Sequence, residues 1–229
     1  MGIRLHSFWR SSAAYRVRLG LGMKGIAYEV VPVHLRKAEH QSPAYQALTA
    51  EGLVPVLEID GLALTQSLAI LEYLDERWPD PALLPGDAAG RARVRALAQI
   101  VACEIHPLNN LRVLKYLSGE LALSQDARDA WYAHWVREGL AAFERQLAHG
   151  SGLFCHGDRP GLADCVLMPQ VFNARITGVP LDGLARILEI ESRMLQLPWV
   201  REAYPFSQKD AEGDPGALAL TTPTTSTLG

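Results

Sequence analysis

The tightest constraint on the fold is the spacing of its first three segments. Ile3 to Phe8 is a short, partly alternating apolar run. Ala14, Val17 and Leu21 follow at helical spacing, and Gly25 stops that segment. Tyr28 to Val33 is a second apolar run. A strand, a helix and a strand within about 30 residues specify a right-handed βαβ unit with parallel strands.

The next stretch, Arg36 to Gly52, holds His40 and a short helix after Ser42-Pro43. A connection that long inside a small domain is more often functional than idle. Val54 to Ile59 then runs into Asp60-Gly61, and Leu62 to Thr65 follows, which is a strong hairpin signal. Pro55 opens its strand, where a missing N–H is tolerated. Gln66-Ser67 precedes an amphipathic set, Leu68, Leu71, Leu74 and Trp78, with Ser67 a natural N-cap. Pro79-Asp80-Pro81 ends that helix. Residues 1–80 are therefore an α/β domain, ordered βαβ then ββα around a mixed four-stranded sheet, and 81–87 a linker.

The pattern then changes. Val94, Leu97, Ala98, Val101 and Ile105 mark one helix face, and Val136, Leu140, Phe143 and Leu147 another. Leu162, Cys165 and Val166 begin a third helix, and Leu184 to Met194 is a fourth. No comparable strand appears, so residues 88–206 are an all-α bundle. Residues 207–229 turn to Asp, Gly, Pro, Ser and Thr, the composition of a flexible tail or one ordered only by its neighbours.

Composition removes several function classes. The chain has 229 residues and a formal charge of -3, with no basic block of the kind that binds nucleic acid or anionic lipid. No apolar run approaches the roughly 20 residues of a membrane span, and no secretory pattern opens the chain, so a cytoplasmic protein is expected. Cys103, Cys155 and Cys165 are odd in number and form no C-x-x-C, so reduced thiols are expected, with Cys103 and Cys165 in the core. The 7 histidines form no H-x-x-x-H pair, and no metal is expected. Trp131 and Trp135 are expected as core or interface anchors, His106 and His156 in core or surface roles, and Arg91, Arg93 and Arg95 on a solvated or dimer face.

The chemistry concentrates at Trp9-Arg10-Ser11-Ser12, the entry to the first helix. Ser11 and Ser12 sit where the first unpaired amides point, a terminus that attracts a carboxylate, a phosphate or a thiolate. Arg10 adds charge there, and Arg16 and Arg18 follow within the first turns. An isolated Ser-Ser would be only a cap. Gln66-Ser67 supplies a second polar helix start nearby, and Val54-Pro55 opens a strand with unpaired backbone groups; together these suit a peptide-like ligand with several carboxylates. G-x-S-x-G and G-x-x-x-x-G-K-[ST] are both missing, which disfavours hydrolase and nucleotide sites. A bound thiol fits better, because a hydroxyl, a helix dipole and an arginine each stabilise a thiolate.

The element order, with Ser11-Ser12-x-x-Tyr15-Arg16-Val17-Arg18, Leu53-Val54-Pro55, Gln66-Ser67, Ala163-Asp164, Pro169-Gln170 and His106-Pro107-Leu108-Asn109-Asn110, resembles the glutathione transferase superfamily. Within it the zeta class, with its maleylacetoacetate and maleylpyruvate isomerases, is most similar. The resemblance implies a thioredoxin-like first domain, glutathione as cofactor, a small diacid substrate and a homodimer. It implies that Ser11 donates to the glutathione sulfur, with Ser12 in support, and that Val54, before a cis Pro55, pairs with the cysteinyl part. Gln66 and Ser67 would bind the γ-glutamyl end, and His40 and Gln46 the glycyl carboxylate. Arg10, Asn109, Asn110 and Arg112 would line the second-substrate pocket. Three positions depart from the family pattern: Ala13 replaces a cysteine, Gly161 a helix-capping Ser or Thr, and Ile176 a carboxylate-gripping arginine, with Arg175 one residue earlier. Asp164 is expected to be purely structural.

The reaction so implied is a cis–trans isomerisation in aromatic catabolism: thiolate addition to a conjugated alkene, rotation and elimination, with Arg10 or Asn110 stabilising the enolate. A general transferase or dehalogenase acting on haloacids or peroxides is the nearest alternative. A non-catalytic glutathione-fold binding protein is the alternative from another class.

Overall fold

Strands β1 (Arg4–Ser7), β2 (Glu29–Pro32), β3 (Val56–Ile59) and β4 (Leu62–Leu64) pair in the order β2-β1-β3-β4. β1 and β2 are parallel and joined by helix α1 (Ser12–Met23), while β3 runs antiparallel to β1 and β4. The computed structural model describes residues 2–150 and 152–212. Asp60 (φ 52°) and Gly61 (φ 80°) both take positive φ, the pair of angles that a two-residue type I′ hairpin demands. Leu5 lies opposite Leu57 at the sheet's centre and packs with Val17 and Leu21 of α1 and with Ile70 and Leu74 of α3 (Ser67–Arg77). A smaller cluster joins Val33, Val56 and Tyr45, the last from the one-turn helix α2 (Pro43–Gln46), which Ser42 caps.

The helical part comprises α4 (Ala88–Gln99), a π-helical continuation (Ile100–Ile105), α5 (Leu111–Gly119), α6 (Gln125–Leu147), α7 (Leu162–Ile176), α8 (Ala185–Met194) and α9 (Pro198–Ala203). The apolar faces expected from the sequence meet in one core, which Tyr15, Leu19 and Leu71 enter from the sheet domain. α1 is therefore covered on nearly all sides: it packs on α3, α7 and α9, and even Arg16 and Arg18 are buried. α5 and α9 were not expected. α5 buries only Leu117, and α9 has 6 residues, so neither carries a long apolar stripe.

Two polar devices lock the parts together. Lys24 Nζ donates to Asp75 (2.8 Å), Trp78 O (2.6 Å) and Pro81 O (2.7 Å), tying α1 to the turn that leaves α3. Asp164 is structural, as expected: its carboxylate accepts from the amides of Gly161 (2.9 Å) and Cys155 (3.0 Å). The departure at Gly161 has a steric cause, since a Cβ there would stand 2.9 Å from Leu83 O.

Two expectations need correction. Cys103 is exposed, because Val101 and Ile105 take the inward face of the π-helical segment; Cys155 and Cys165 are buried. Ser67 does not cap α3 but is its first residue; Gln66, at φ 64°, holds the cap position without a side-chain bond. In the arginine row of α4, Arg95 forms a two-pronged pair with Glu72 (3.0 and 2.7 Å). Of the expected tail, residues 213–229 lie outside the described residues, whereas 207–212 fold back onto the first loop. Among the described residues no helix is long and apolar enough to cross a membrane.

Candidate active site

A cleft of about 650 Å³ opens between the sheet domain and the helices. Its sheet-side wall starts at the β1–α1 turn, which Ser11 N closes by donating to Phe8 O (2.9 Å). Ser11 caps α1: its Oγ accepts from Ala14 N (3.2 Å), so its own O–H is left to donate elsewhere. Ser12 is buried and its Oγ accepts from Asn173 Nδ2 of α7 (2.5 Å), which pins the start of α1 to the helical domain. Val54, before the cis peptide to Pro55, lines the same wall, and among the described residues its amide and carbonyl take part in no ladder or turn bond.

The opposite wall is made of side chains. Asn109, Asn110 and Arg112 line it, joined by Lys115, Arg128 and Tyr132. Asn110 caps α5 through Oδ1, accepting from Arg112 N (3.2 Å), which leaves its amide NH₂ to donate. Trp131 anchors the preceding turn by donating Nε1 to Leu108 O (2.9 Å). Among the described residues, Arg10, Arg36, Arg112, Lys115 and Arg128 stand against Asp129 alone on the wall, so the cleft is strongly electropositive.

Burial and the charge of Arg36 lower the Arg10 pKa, so this guanidinium gains from a bound anion. His106, expected in the core or at the surface, lines the cleft instead. Desolvation, with Arg16 and Arg112 nearby, pushes its pKa down to about 3, so it is a neutral imidazole there. Burial and Lys115 likewise lower His40. Three polar atoms on the wall are buried and unpaired among the described residues: His40 Nδ1, Asn109 Oδ1 and Gln170 Nε2. Such atoms cost free energy until a ligand or water meets them.

The model of the glutathione S-transferase N-terminal domain matches residues 1–76, and that of the glutathione S-transferase C-terminal domain matches residues 125–206. The chain is 44% identical over 211 residues to a maleylpyruvate isomerase of a Ralstonia species, covering 91% of this chain and 100% of that one. A solved holo maleylpyruvate isomerase, described as a bacterial glutathione S-transferase of the zeta class, matches with TM-score 0.89 and 44% identity, over 91% of this chain and 100% of that one. A maleylacetoacetate isomerase from Anaeromyxobacter dehalogenans, solved with glutathione in its active site, matches with TM-score 0.84 and 44% identity, over 92% and 98%.

The chain belongs to the glutathione S-transferase family. Within that family it stands with the zeta class. Against the zeta-class pattern, several expected site residues sit elsewhere. Arg175 is not on the cleft wall. One residue is about 100° around a helix, and Arg175 instead grips Glu191 of α8 through Nε (2.7 Å) and Nη2 (2.5 Å), while Ile176 packs on the core. Gln46 is exposed at the end of α2, away from the wall; Gln41, one turn earlier, lines it. Gln66 and Ser67 lie off the wall of this cleft. The Gln66 amide donates to both oxygens of Glu51 (3.0 Å), and the buried Ser67 Oγ accepts from Arg16 Nη1 (3.2 Å). Arg16 and Arg18 do not line the cleft: both are enclosed, and burial lowers both to about 10.

Gln170 and Asn173 of α7, Thr177 at its C-cap, and Tyr132 were not expected at the site. α7 reads as a core helix, and 12 of its 15 residues are buried. Only the polar residues within that apolar run, Gln170 and Asn173, could have marked its cleft face.

Proposed function

We propose that this protein is a glutathione-dependent cis–trans isomerase of a small unsaturated keto-diacid, maleylacetoacetate or maleylpyruvate. The observation that carries the reading is Ser11. Its hydroxyl stands at the N-terminus of a buried helix, beside Arg10, on the wall of an electropositive cleft. The names of the zeta-class relatives support the same reading.

The residues present fit glutathione. Val54 offers unpaired backbone groups to its peptide portion, and His40 offers the unpaired Nδ1 to the glycyl end. Ser67 accepts from Arg16, which leaves its hydroxyl hydrogen to donate, and at the N-terminus of α3 it would hold the γ-glutamyl carboxylate where that end extends past the cleft wall. Gln66 reaches that end only by leaving Glu51. When bound, glutathione supplies a nucleophilic sulfur whose reversible addition to the alkene frees the bond for rotation.

Ser11 donates its hydroxyl hydrogen to that sulfur, and the α1 amides add positive potential, so the thiolate form is favoured. The adjacent position is Ala13, not the family's cysteine, so no second thiol competes there. Arg10 and the Asn110 amide donate to the substrate oxygen on which negative charge develops, as preorganised oxyanion donors do. Arg112, with Asn109 beside it, receives a substrate carboxylate. Ser12 acts through its bond to Asn173, which fixes the first turn of α1.

The deciding experiment is turnover of maleylacetoacetate and maleylpyruvate with and without glutathione. Glutathione-dependent turnover of at least one is expected; no turnover of either sinks the isomerase assignment, and a positive haloacid assay would then favour the dehalogenase. The same reading expects a cytoplasmic homodimer on the family's pattern. Light scattering of the purified protein tests the dimer, and cell fractionation the compartment.

A further inference from the structure

The chain does not end its work at α9. Arg18, fully buried, donates Nε to Ala203 O, Nη1 to Ser7 Oγ and Nη2 to Trp9 O, each at 3.0 Å. Phe206 packs on the Trp9 ring at 5.3 Å between centroids. Asp210 Oδ2 accepts from the Trp9 amide at 3.0 Å. Glu212 lies 2.8 Å from His34 Nε2, and His34 Nδ1 accepts from Lys37 N. The Trp9 carbonyl is thus held by Arg18 and its amide by Asp210, two charged groups rooted in or tied to the C-terminal segment. The next two residues are Arg10 and Ser11.

We propose that residues 205–212 form a strap over the β1–α1 corner and that Asp210 is a positioning residue for Ser11 and Arg10. The strap's geometry stands alone; its catalytic consequence rests on the glutathione reading above. Asp210 holds the Phe8–Trp9 peptide through its N–H and Arg18 holds the Trp9–Arg10 peptide through its C=O, so the planes on both sides of Trp9 are fixed, and Ser11 is two residues on. Release of the Trp9 amide lets the corner sample other orientations, in which the Ser11 hydroxyl misses the sulfur. Small displacements of donor groups cost catalysis heavily while leaving binding by the rest of the cleft in place. Asp210 touches no substrate; it acts through the Trp9 backbone. The polar composition of the tail hides this role, because a single aspartate that binds a distant amide leaves no periodic signal.

The test compares Asp210→Ala with Asp210→Asn, which keeps an acceptor oxygen, in the full-length protein. Amide hydrogen exchange of residues 9–12, read without glutathione, should be faster in the alanine variant and near normal in the asparagine variant. With glutathione, ultraviolet thiolate absorbance against pH should show the bound thiol's pKa raised by about one unit in Asp210→Ala. Its kcat for isomerisation should fall about tenfold with the KM for glutathione changed less than about twofold, and asparagine should restore most of it. Unchanged exchange at the corner in Asp210→Ala overturns the strap. Faster exchange with unchanged thiol pKa and kcat overturns the positioning role. Should the alanine variant not fold, Asp210→Glu, which moves the acceptor by one methylene, must show the same exchange and kcat changes, or the proposal falls. A wild-type protein that leaves the glutathione thiol at its solution pKa sinks the functional reading instead, while the exchange result still decides the strap.

Discussion

The two walls of the cleft are built by different means. On the sheet side the atoms nearest the sulfur's place are backbone groups and one short hydroxyl, the α1 amides, Ser11 Oγ and the unpaired groups of Val54, with Arg10 and His40 the longer side chains of that wall. Their positions follow from an N-cap and a strand end, both embedded in a core that encloses α1. On the helical side the functional atoms sit at the ends of Arg112, Lys115, Arg128 and Tyr132. Two of those residues come from α5, which buries only Leu117. A rigid wall suits a sulfur whose ionisation depends on exact donor placement; a wall of long cations suits an anion whose shape varies. Chemistry and specificity are thereby separable by mutation.

The largest effect should come from the rigid wall. Ser11→Ala removes the sulfur's donor, and turnover should drop by roughly two to three orders of magnitude, the usual loss for a preorganised donor. Loss of the cap costs only about 1 kcal/mol of stability. Steady-state kinetics beside a thermal melt separates the two, and a fully active variant would remove Ser11 from its role. The softer wall should respond less. Arg112→Ala should raise the KM for the diacid about tenfold and leave the KM for glutathione nearly unchanged. An equal rise in both would mean that the walls are not separable.

His106 sharpens the comparison through pH. Its folded pKa, pushed down to about 3, lies below the unfolded value of 6.5. Between these values the unfolded chain binds the extra proton, so stability rises with pH through that window. The His106 contribution is fully present above about pH 6.5 and is lost as pH falls toward 3. Denaturant melts from pH 7 downward should show one fewer proton taken up on unfolding by His106→Asn, while the wild-type activity profile carries no His106 titration between pH 5 and 8. A His106 ring that titrates near 6.5 in the folded protein, followed by NMR, contradicts this.

How well each wall could be read in the sequence follows the same division. Ser11, Val54-Pro55 and the Asp60-Gly61 hairpin are local features: an N-cap, a strand start and a turn each depend on a few adjacent residues, and each lies where the sequence places it. The βαβ and ββα order is equally local. Gln66 and Arg175 depend instead on where a long side chain finds its partner. Glu51 takes Gln66 from 15 residues away and Glu191 takes Arg175 from 16, and neither pairing leaves a mark in the spacing. Cys103 fails for a related reason, because the π-helical segment rotates the face on which it sits. Gln170 and Asn173 were hidden inside an apolar helix, and Asp210 inside a polar tail.

The smallest effect on activity is expected at Arg175, and it is the most direct test of the correction there. The family's arginine would hold a substrate carboxylate; here the guanidinium is committed to Glu191, whose side chain is only 9% exposed, and it lies off the cleft wall. Arg175→Ala should therefore leave the KM for the diacid within about twofold of wild type, against the tenfold rise expected for Arg112→Ala. Its cost should be structural: an unpaired, mostly buried carboxylate loses about 2 kcal/mol, and the melting temperature should fall by several degrees. Glu191→Gln paired with Arg175→Ala should recover part of that loss, because the uncompensated charge is then gone. A large KM increase in Arg175→Ala with an unchanged melt would return this residue to the substrate site and make the helical wall as rigidly specified as the sheet wall.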